Sequence, residues 1–244
     1  THSELDLTDQ RATREFFEKE RPDYVFLAAA KVGGILANSM YSADFEYVNL
    51  MIECNVIKAS YDYGVKKLLF IGTAAVYPEC CPQPIKEEYL LTGPLDSTKE
   101  AYAIAKIAGT KMCQYFDEQY GTNFVSMVPN NLYGPNDNFD LNTAHVIPAL
   151  IRKFHTAKVT GADHVEVWGS GNQRREFLYV DDFADVSLFL MNQYDSSEPI
   201  NVGTGESLND LDIIKNVTAI LVAMAIGTIV SEWIGKLIDM SFPT

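Results

Sequence analysis

The order of apolar segments predicts an α/β fold, a doubly wound parallel sheet with helices on both faces. Compact apolar runs at 23–30, 66–73 and 123–129 have the length of buried strands. Between them, 41–65 and 99–121 carry apolar residues at helical spacing and reach a glycine near their ends. Strands that alternate with long helices form βαβ units, and such units build parallel sheets.

The later part of the chain predicts a smaller lobe. Residues 145–157 and 181–194 have helical patterns, and the short runs 164–169 and 175–180 are typical of strands. We therefore expect the main sheet domain in 1–143 and a lobe, interleaved with it, in 144–244. The uncharged stretch 217–230 is shorter than the roughly 20 residues of a membrane span, so a buried helix leading into a strand is expected there, with an exposed apolar tail as the alternative.

Composition excludes several classes of function. The 244 residues carry a net charge of −14, which argues against a nucleic-acid partner because such proteins usually present a basic face. The four cysteines show no zinc-binding spacing, so no metal site is expected and reduced thiols in a cytoplasmic protein are the simplest interpretation. The first ten residues lack the pattern of a signal peptide, and no membrane partner is expected.

The segment "YAIAK" places Tyr102 and Lys106 four positions apart in a predicted helix, and therefore on one face. A phenol ionises near pH ~10, and a neighbouring ammonium group lowers its pKa toward the range where proton transfer is efficient. The alternative is an ordinary amphipathic pair, since this spacing is common by chance.

Ligands of open α/β sheets bind at the carboxyl ends of the strands. The predicted ends are Ala28–Lys31, Gly72–Ala75 and Pro129–Asn131. The second of these presents one hydroxyl, that of Thr73, among small apolar residues. Thr73 therefore lies where a ligand is expected, 29 positions before Tyr102.

Several longer segments resemble the GDP-L-fucose synthase family of the extended short-chain dehydrogenases/reductases: "LAAAKVGGILAN" (27–38), "NLYGPNDNF" (131–139), "HVIPALIRKFH" (145–155), "VWGSGNQRREFLYVDD" (167–182) and "INVGTGES" (200–207). The resemblance runs from about residue 4 to residue 210. It implies a Rossmann-like sheet, a dinucleotide-binding domain in 1–143 and a mainly substrate-binding lobe in 144–244. It also implies NADPH-dependent conversion of GDP-4-keto-6-deoxymannose to GDP-L-fucose, by 3,5-epimerisation and 4-keto reduction. A homodimer formed through the 41–65 and 99–121 helices is implied as well.

The resemblance assigns four catalytic residues. Tyr102 would protonate the C4 oxygen, and Lys106 would hold the nicotinamide ribose and lower the pKa of Tyr102. The hydroxyl of Thr73 would take the place of a family serine that hydrogen-bonds the keto oxygen. His145 would act as an acid/base in epimerisation, because imidazole titrates in the right range. The alternative for His145 is a polar residue at a helix start, and His155 and His164 are interpreted as surface residues.

The resemblance also implies two sets of binding residues. Those for the cofactor are His2, Ser3, Glu4, Leu5, Asp6, Leu7, Ala30, Lys31, Asn49, Ile71, Gly72, Thr73, Ala74, Lys106, Pro129, Asn130, Asn131, Leu132 and His145. Those for the substrate are Asn131, Lys153, Trp168 and Arg175. Lys153 replaces a family arginine and so loses bidentate binding of a diphosphate. Trp168 could instead be a strand core residue, and Asn49 a helix-surface residue.

The sequence departs from the family in three places. It lacks the first βαβ unit with its Gly-rich turn, so we expect a truncated record or weak binding of NADPH. Ala75 occupies the position of the epimerisation cysteine, for which Cys80 or Cys81 could substitute only if their turn folds back. After about residue 210 the tail diverges.

These departures leave three alternative functions: a reductase without epimerase activity, a non-enzymatic dimerising relative, or an enzyme for another nucleotide sugar.

Overall fold

The computed structural model describes residues 2–167, 170, 172–209 and 212–215, which fall into two compact units. The first unit comprises the described residues of Thr1–Asp137 and Glu176–Glu206, and the second those of Asn138–Arg175 and Ser207–Thr244. The chain thus leaves the first unit after Asp137 and returns to it at Glu176. The functional division into 1–143 and 144–244 stays a prediction.

The described chain contains both strands and helices, mostly in alternation. The strands are β1 (Tyr24–Leu27), β2 (Lys67–Ile71), β3 (Phe124–Pro129), β4 (Asn131–Tyr133), β5 (Arg174–Tyr179), β6 (Ile200–Val202) and β7 (Ser207–Asn209). The α-helices are α1 (Gln10–Glu20), α2 (Ile35–Met40), α3 (Ser42–Asp62), α4 (Glu100–Tyr120), α5 (Val146–Thr160) and α6 (Val180–Gln193). Two 3-10 turns occupy Ala74–Val76 and Glu87–Tyr89.

The first unit is built on a parallel sheet of strand order β1-β2-β3-β6. Its register places Leu68 opposite Val25 on one side and opposite Phe124 on the other. Parallel strands need crossover connections, and α3 and α4 supply those between the first three strands. The carboxyl ends of β1, β2 and β3 therefore lie along one edge.

Successive side chains of β2 point to opposite faces of the sheet and enter different cores. Leu68 and Phe70 are fully buried in a cluster with residues of α1, α3 and α4. Leu69, also fully buried, packs in a second cluster with Leu190 and Met191 of α6. Helices therefore cover both faces of the sheet, which confirms the predicted doubly wound arrangement.

The ends of α1 and α4 are set by residues typical of helix caps, an aspartate at a start and a glycine at an end. The Asp9 carboxylate accepts a hydrogen bond from the backbone N–H of Ala12 at 3.0 Å and caps the start of α1. The helix α4 ends at Gly121, whose φ of 67° is readily adopted only by glycine. The predicted end of the 99–121 helix is thereby confirmed.

Two short pieces of the predicted pattern differ from the structure. Residues 164–167 form no strand, since Glu166 accepts a hydrogen bond from Lys153 Nζ at 3.0 Å and both Glu166 and His164 are exposed. Trp168 and Gly169 lie outside the described residues, as does the apolar stretch 217–230. The three-residue strands β4, β6 and β7 were missed because so short a run shows no periodicity. No helix within the described ranges is both long and apolar enough to cross a membrane.

Candidate active site

The turn after β2 holds Thr73 at the carboxyl edge of the sheet. The backbone N–H of Gly72 donates to the carbonyl oxygen of Met127 at 2.8 Å, which extends the pairing of β2 with β3 by one residue. The Thr73 oxygen then accepts from the N–H of Ala75 at 3.3 Å and begins a 3-10 turn. Because that bond uses the oxygen as acceptor, the half-buried hydroxyl can still donate to a ligand.

The structure brings Tyr102 and Lys106 together next to this turn. Lys106 is 2% exposed, and its Nζ donates to the carbonyl oxygen of Ile71, the last residue of β2, at 3.0 Å. The same ammonium lies 4.7 Å from the centre of the Phe70 ring and 5.9 Å from that of Tyr102. The two residues therefore form a fixed pair at the end of β2, which a chance amphipathic pair on a helix surface would not do.

A third member of this site, Glu53 of α3, was missed in the sequence. Its side chain is 1% exposed, and Oε1 lies 3.1 Å from Lys106 Nζ. Gly109 of α4 makes room for it, because a Cβ there would lie 2.7 Å from Glu53 Oε2. The available signal was an acid on the apolar face of α3, four residues after Asn49. Such acids are almost never fully buried without a partner.

Burial governs the electrostatics of these three groups. It raises the pKa of Glu53 to about 7, although the Lys106 ammonium opposes the shift. Burial, with the Glu53 charge as a second cause, also raises the pKa of Tyr102 above its ordinary value. This differs from the expectation that Lys106 lowers the pKa of Tyr102. The main reason is that the phenol is buried, which disfavours its charged form, and the Glu53 charge adds to this effect.

Asn49 fixes the end of β1. Its side chain is fully buried, so the interpretation as a helix-surface residue is wrong. Oδ1 accepts from the N–H of Lys31 at 2.8 Å, and Nδ2 donates to the carbonyl oxygen of Lys31 at 3.0 Å and to that of Phe45 at 2.7 Å. The loop after Ala30 is thus held by one amide, while Lys31 Nζ pairs with Asp44 at 3.1 Å.

The first residues pack against α3. Asn55 Nδ2 donates to the carbonyl oxygens of Leu7 and Thr8 at 2.9 and 3.1 Å. Asp6 accepts from the hydroxyl of Thr8 at 2.7 Å, and His2 is exposed. These bonds order 6–8, and the proposed role of His2–Leu7 around a nucleotide stays a prediction.

The end of β3 continues directly into β4. Asn130 donates its N–H to the carbonyl oxygen of Val202 at 3.2 Å. The side chain of Asn131 donates to the carbonyl oxygen of Glu176 at 2.9 Å, in a parallel pairing that sets Asn131 opposite Phe177. Pro129 belongs to β3, and Leu132 packs against the second core cluster. This backbone is therefore tied to both β5 and β6.

The second unit carries most of the predicted substrate residues. His145 is exposed at the start of α5 and makes no side-chain capping bond among the described residues. Lys153 lines a shallow cavity of about 260 Å³ together with Thr156, Ala157 and Glu166. Arg175 is half-buried in β5. Trp168 lies outside the described residues, so its two interpretations stay open.

Two of the remaining histidines, His155 and His164, are exposed, which confirms that they are surface residues.

Ala75 presents a methyl group where the epimerisation acid was expected. It lies half-buried in the 3-10 turn after Thr73. Cys80 is exposed, and Cys81 packs at the edge of a cluster with Val76 and Tyr77. A thiol that stands in for the missing acid stays a prediction, and a methyl cannot transfer a proton.

The chemistry at this edge suits a dinucleotide such as NADP. Small residues, Ala28–Ala30, Gly72 and Ala74, follow the strands and let a flat ligand approach the backbone. The ammonium of Lys31, after β1, is partly exposed and can donate to phosphate oxygens, whereas that of Lys106, at the end of β2, is buried between Ile71 and Glu53. Among the described residues no cluster of metal-ligating side chains is present.

Comparison with known families agrees with this chemistry. The model of the NAD dependent epimerase/dehydratase family matches residues 1–203. GDP-L-fucose synthase 1 from Arabidopsis thaliana is 56% identical over 208 residues, 85% of this chain and 64% of the relative. GDP-L-fucose synthase from Escherichia coli K12 is 51% identical over 214 residues, 84% of this chain and 67% of the relative. The chain thus spans about two thirds of the length of these relatives.

Solved structures show the same fold. A GDP-L-fucose synthetase from Naegleria fowleri bound to NADP superposes with a TM-score of 0.82 at 34% identity, covering 90% of this chain and 67% of that one. A GDP-mannoheptose C4 reductase from Campylobacter jejuni with NADP bound gives a TM-score of 0.82 at 40% identity, covering 90% and 76%. These matches confirm the predicted Rossmann-like α/β fold.

We predict that Asn49→Leu frees the loop after β1. The change removes an acceptor for the N–H of Lys31 and donors to two carbonyl groups, so it should lower the free energy of unfolding by about 2–4 kcal/mol. Amide hydrogen exchange should show much faster exchange at Lys31.

Asn38→Leu is the matched control. Asn38 is also buried, but it donates to Gly33 and Gly34. Protection of the Lys31 amide should survive this change. Unchanged exchange at Lys31 in Asn49→Leu would contradict the assignment.

Proposed function

Because the chain belongs to the NAD dependent epimerase/dehydratase family, we propose that it reduces the 4-keto group of a GDP sugar with NADPH. The proposed substrate is GDP-4-keto-6-deoxymannose and the product GDP-L-fucose, the sugar named in the relatives compared above. The observation that carries the proposal is the buried Lys106 ammonium beside Tyr102 at the end of β2.

Tyr102 is the proton donor in this proposal. When bound, NADPH supplies the hydride for C4 of the sugar. The phenol O–H of Tyr102 breaks, and its proton forms the new hydroxyl on the C4 oxygen. The raised pKa of Tyr102 keeps the phenol protonated, which suits an acid in the reductive direction. The Thr73 hydroxyl would donate to the same oxygen, and Lys106 would stabilise the phenolate that remains.

The cofactor would be held by the three strand ends. Ala30 and Lys31 after β1, Ile71–Ala74 after β2, and Pro129–Leu132 after β3 supply backbone and small side chains, and Lys106 would bond a ribose hydroxyl. The His2–Leu7 segment would lie by the adenine. His145 is proposed as the acid/base of epimerisation, and Lys153, Trp168, Arg175 and Asn131 as substrate ligands.

A reductase without epimerase activity is the second candidate. It is favoured by one observation, the methyl group of Ala75 in the turn after Thr73. Epimerisation at C3 and C5 needs an acid on one side of the ring carbon and a base on the other. Reduction at C4 would need the hydride of NADPH and the Tyr102 proton but not this second acid, so it can persist when the acid is absent.

One incubation separates these possibilities. GDP-4-keto-6-deoxymannose and NADPH are mixed with the chain in deuterated water, and both NADPH oxidation and deuterium at C3 and C5 are followed. Oxidation with deuterium supports the full conversion, and oxidation without deuterium supports the reductase. If calorimetry detects no binding of NADPH, both enzymatic proposals fail and the non-enzymatic alternative is favoured.

Tyr102→Phe should lower kcat for NADPH oxidation by roughly 10²–10⁴-fold, the usual contribution of a positioned general acid. The hydroxyl is lost while the ring packing against Phe45 is retained. Tyr115→Phe on the same helix is the control, because Tyr115 is 57% exposed and should leave kcat unchanged. Equal activity of the two variants would rule out Tyr102 as the acid.

We also propose that the chain forms a homodimer through α3 and α4. Their outer surfaces expose Tyr47 (64%), Tyr115 (57%) and Ile104 (41%), which are large apolar side chains for a solvent-facing surface. Tyr47→Glu with Ile104→Glu should convert a dimer to a monomer in sedimentation velocity. Phe16→Glu, an exposed site on α1, is the control. A monomer before any substitution would contradict the proposal.

A cytoplasmic location is proposed on the basis of the cysteines. Cys54, Cys80, Cys81 and Cys113 are all free thiols. Free thiols are typical of reducing compartments.

A further inference from the structure

A carboxylate that neither the sequence motifs nor the proposed mechanism uses lies beneath the Tyr102 and Lys106 pair. Glu53 reaches across the α3–α4 interface from a position that is 1% exposed. Apart from Lys106, its oxygens have no hydrogen-bond partner in the described structure. Burying a carboxylate lowers the stability of the folded protein unless an opposite charge beside it offsets the loss of water.

The contacts of Lys106 show what Glu53 does. The ammonium is held between the carbonyl oxygen of Ile71 at 3.0 Å and Glu53 Oε1 at 3.1 Å, above the Phe70 ring. The Ile71 carbonyl is neutral, and the Phe70 ring carries no charge. Glu53 is therefore the group that balances the charge of Lys106 in this region.

We propose that Glu53 is a positioning residue for the reaction: its carboxylate holds the Lys106 ammonium at the end of β2 and offsets the positive charge felt by Tyr102. This inference rests on the proposed function, because it concerns the acid named there. Glu53 acts through Lys106 and does not itself exchange a proton with the sugar.

The groups that face Glu53 support this assignment. From α4 these are Lys106, Tyr102 and Cys113, and from α3 the adjacent Cys54; its charge raises the pKa of Tyr102, Cys113 and Cys54, each in addition to burial. From β2, Phe70 lies against the same Gly109 as Glu53, and the Ile71 carbonyl accepts from Lys106; neither group ionises. The positive neighbour is thus Lys106, and the acid of the mechanism is among the groups that Glu53 influences.

Loss of the Glu53 charge should make Tyr102 easier to ionise. With Glu53 ionised, the pair below Tyr102 is neutral overall, and the phenol keeps its proton to high pH. Removing the carboxylate leaves an unbalanced ammonium 5.9 Å from the Tyr102 ring. An uncompensated positive charge favours the phenolate, so Tyr102 should ionise at lower pH.

The test is an ultraviolet titration of tyrosine ionisation in Glu53→Gln. The signal of Tyr102 is isolated by subtracting the same protein carrying Tyr102→Phe. We expect the Tyr102 midpoint to fall by about one pH unit or more relative to the parent chain, as expected for loss of a charge at this range. In an active chain, the basic limb of the kcat profile should move the same way. A midpoint that stays unchanged in folded Glu53→Gln overturns the proposal.

Asp195→Asn is the matched control. Asp195 is also the acid partner of a buried lysine, since it accepts from Lys67 Nζ at 2.8 Å, but Lys67 begins β2 at the opposite end from Ile71. Asp195→Asn should leave the Tyr102 midpoint unchanged. An equal shift in Asp195→Asn and Glu53→Gln overturns a specific role of Glu53. The titration needs neither substrate nor NADPH, so it can succeed or fail independently of the proposed activity.

A second measurement applies if Glu53→Gln does not fold. The infrared carboxyl band of the unaltered chain is compared with that of Lys106→Met at pH 7. Without the ammonium, Glu53 should become fully protonated and the protonated-carboxyl band should grow. Identical bands in the two proteins overturn the proposed pairing.

Discussion

Burial of a positive charge at the end of β2 is the constraint on which the rest of the site depends. Lys106 must lie deep to reach the carbonyl oxygen of Ile71, and an ammonium at that depth is unstable without a counter-charge. Glu53 supplies the charge from the neighbouring helix, which couples the packing of α3 on α4 to the chemistry of Tyr102. A change in that helix pair would therefore alter the site without touching a ligand.

Strand β2 contributes to both the core and the site, because its successive side chains point to opposite faces of the sheet. Phe70 points into the cluster under α3 and α4, where its ring also lies against Lys106, and Leu69 points to the opposite face under α6. The last residue, Ile71, offers its backbone to Lys106, and the chain then turns at Gly72. One short strand thus determines where the acid, the ammonium and the Thr73 hydroxyl are held.

The sequence was sufficient to predict the alternating strands and helices, because their apolar runs are long and their periods differ. It was also sufficient to place Thr73 at the ligand-binding edge, since the carboxyl ends of parallel strands meet there, whereas Tyr102 and Lys106 were assigned to the site by the resemblance of longer segments. It was not sufficient for Glu53, whose partner lies 53 positions away, or for Asn49, whose role depends on the path of the loop at Lys31. Both are long-range contacts, which local patterns do not encode. The predicted direction of the Tyr102 pKa was wrong because it took account of Lys106 but not of the burial of the phenol or of the Glu53 charge.

The proposed reduction and the proposed epimerisation would use different residues of the site. The proposed reduction would use Lys106, which is buried, Thr73, which is bonded to the backbone, and Tyr102, which is half-buried in α4. The proposed epimerisation would need an acid at the position of Ala75, in an adjacent 3-10 turn, and would use His145, which is exposed at a helix start. The bond from the Ala75 N–H to the Thr73 oxygen comes from the backbone, so it does not depend on whether this position carries a methyl or a thiol. The loss of one activity therefore need not destabilise the structure that supports the other.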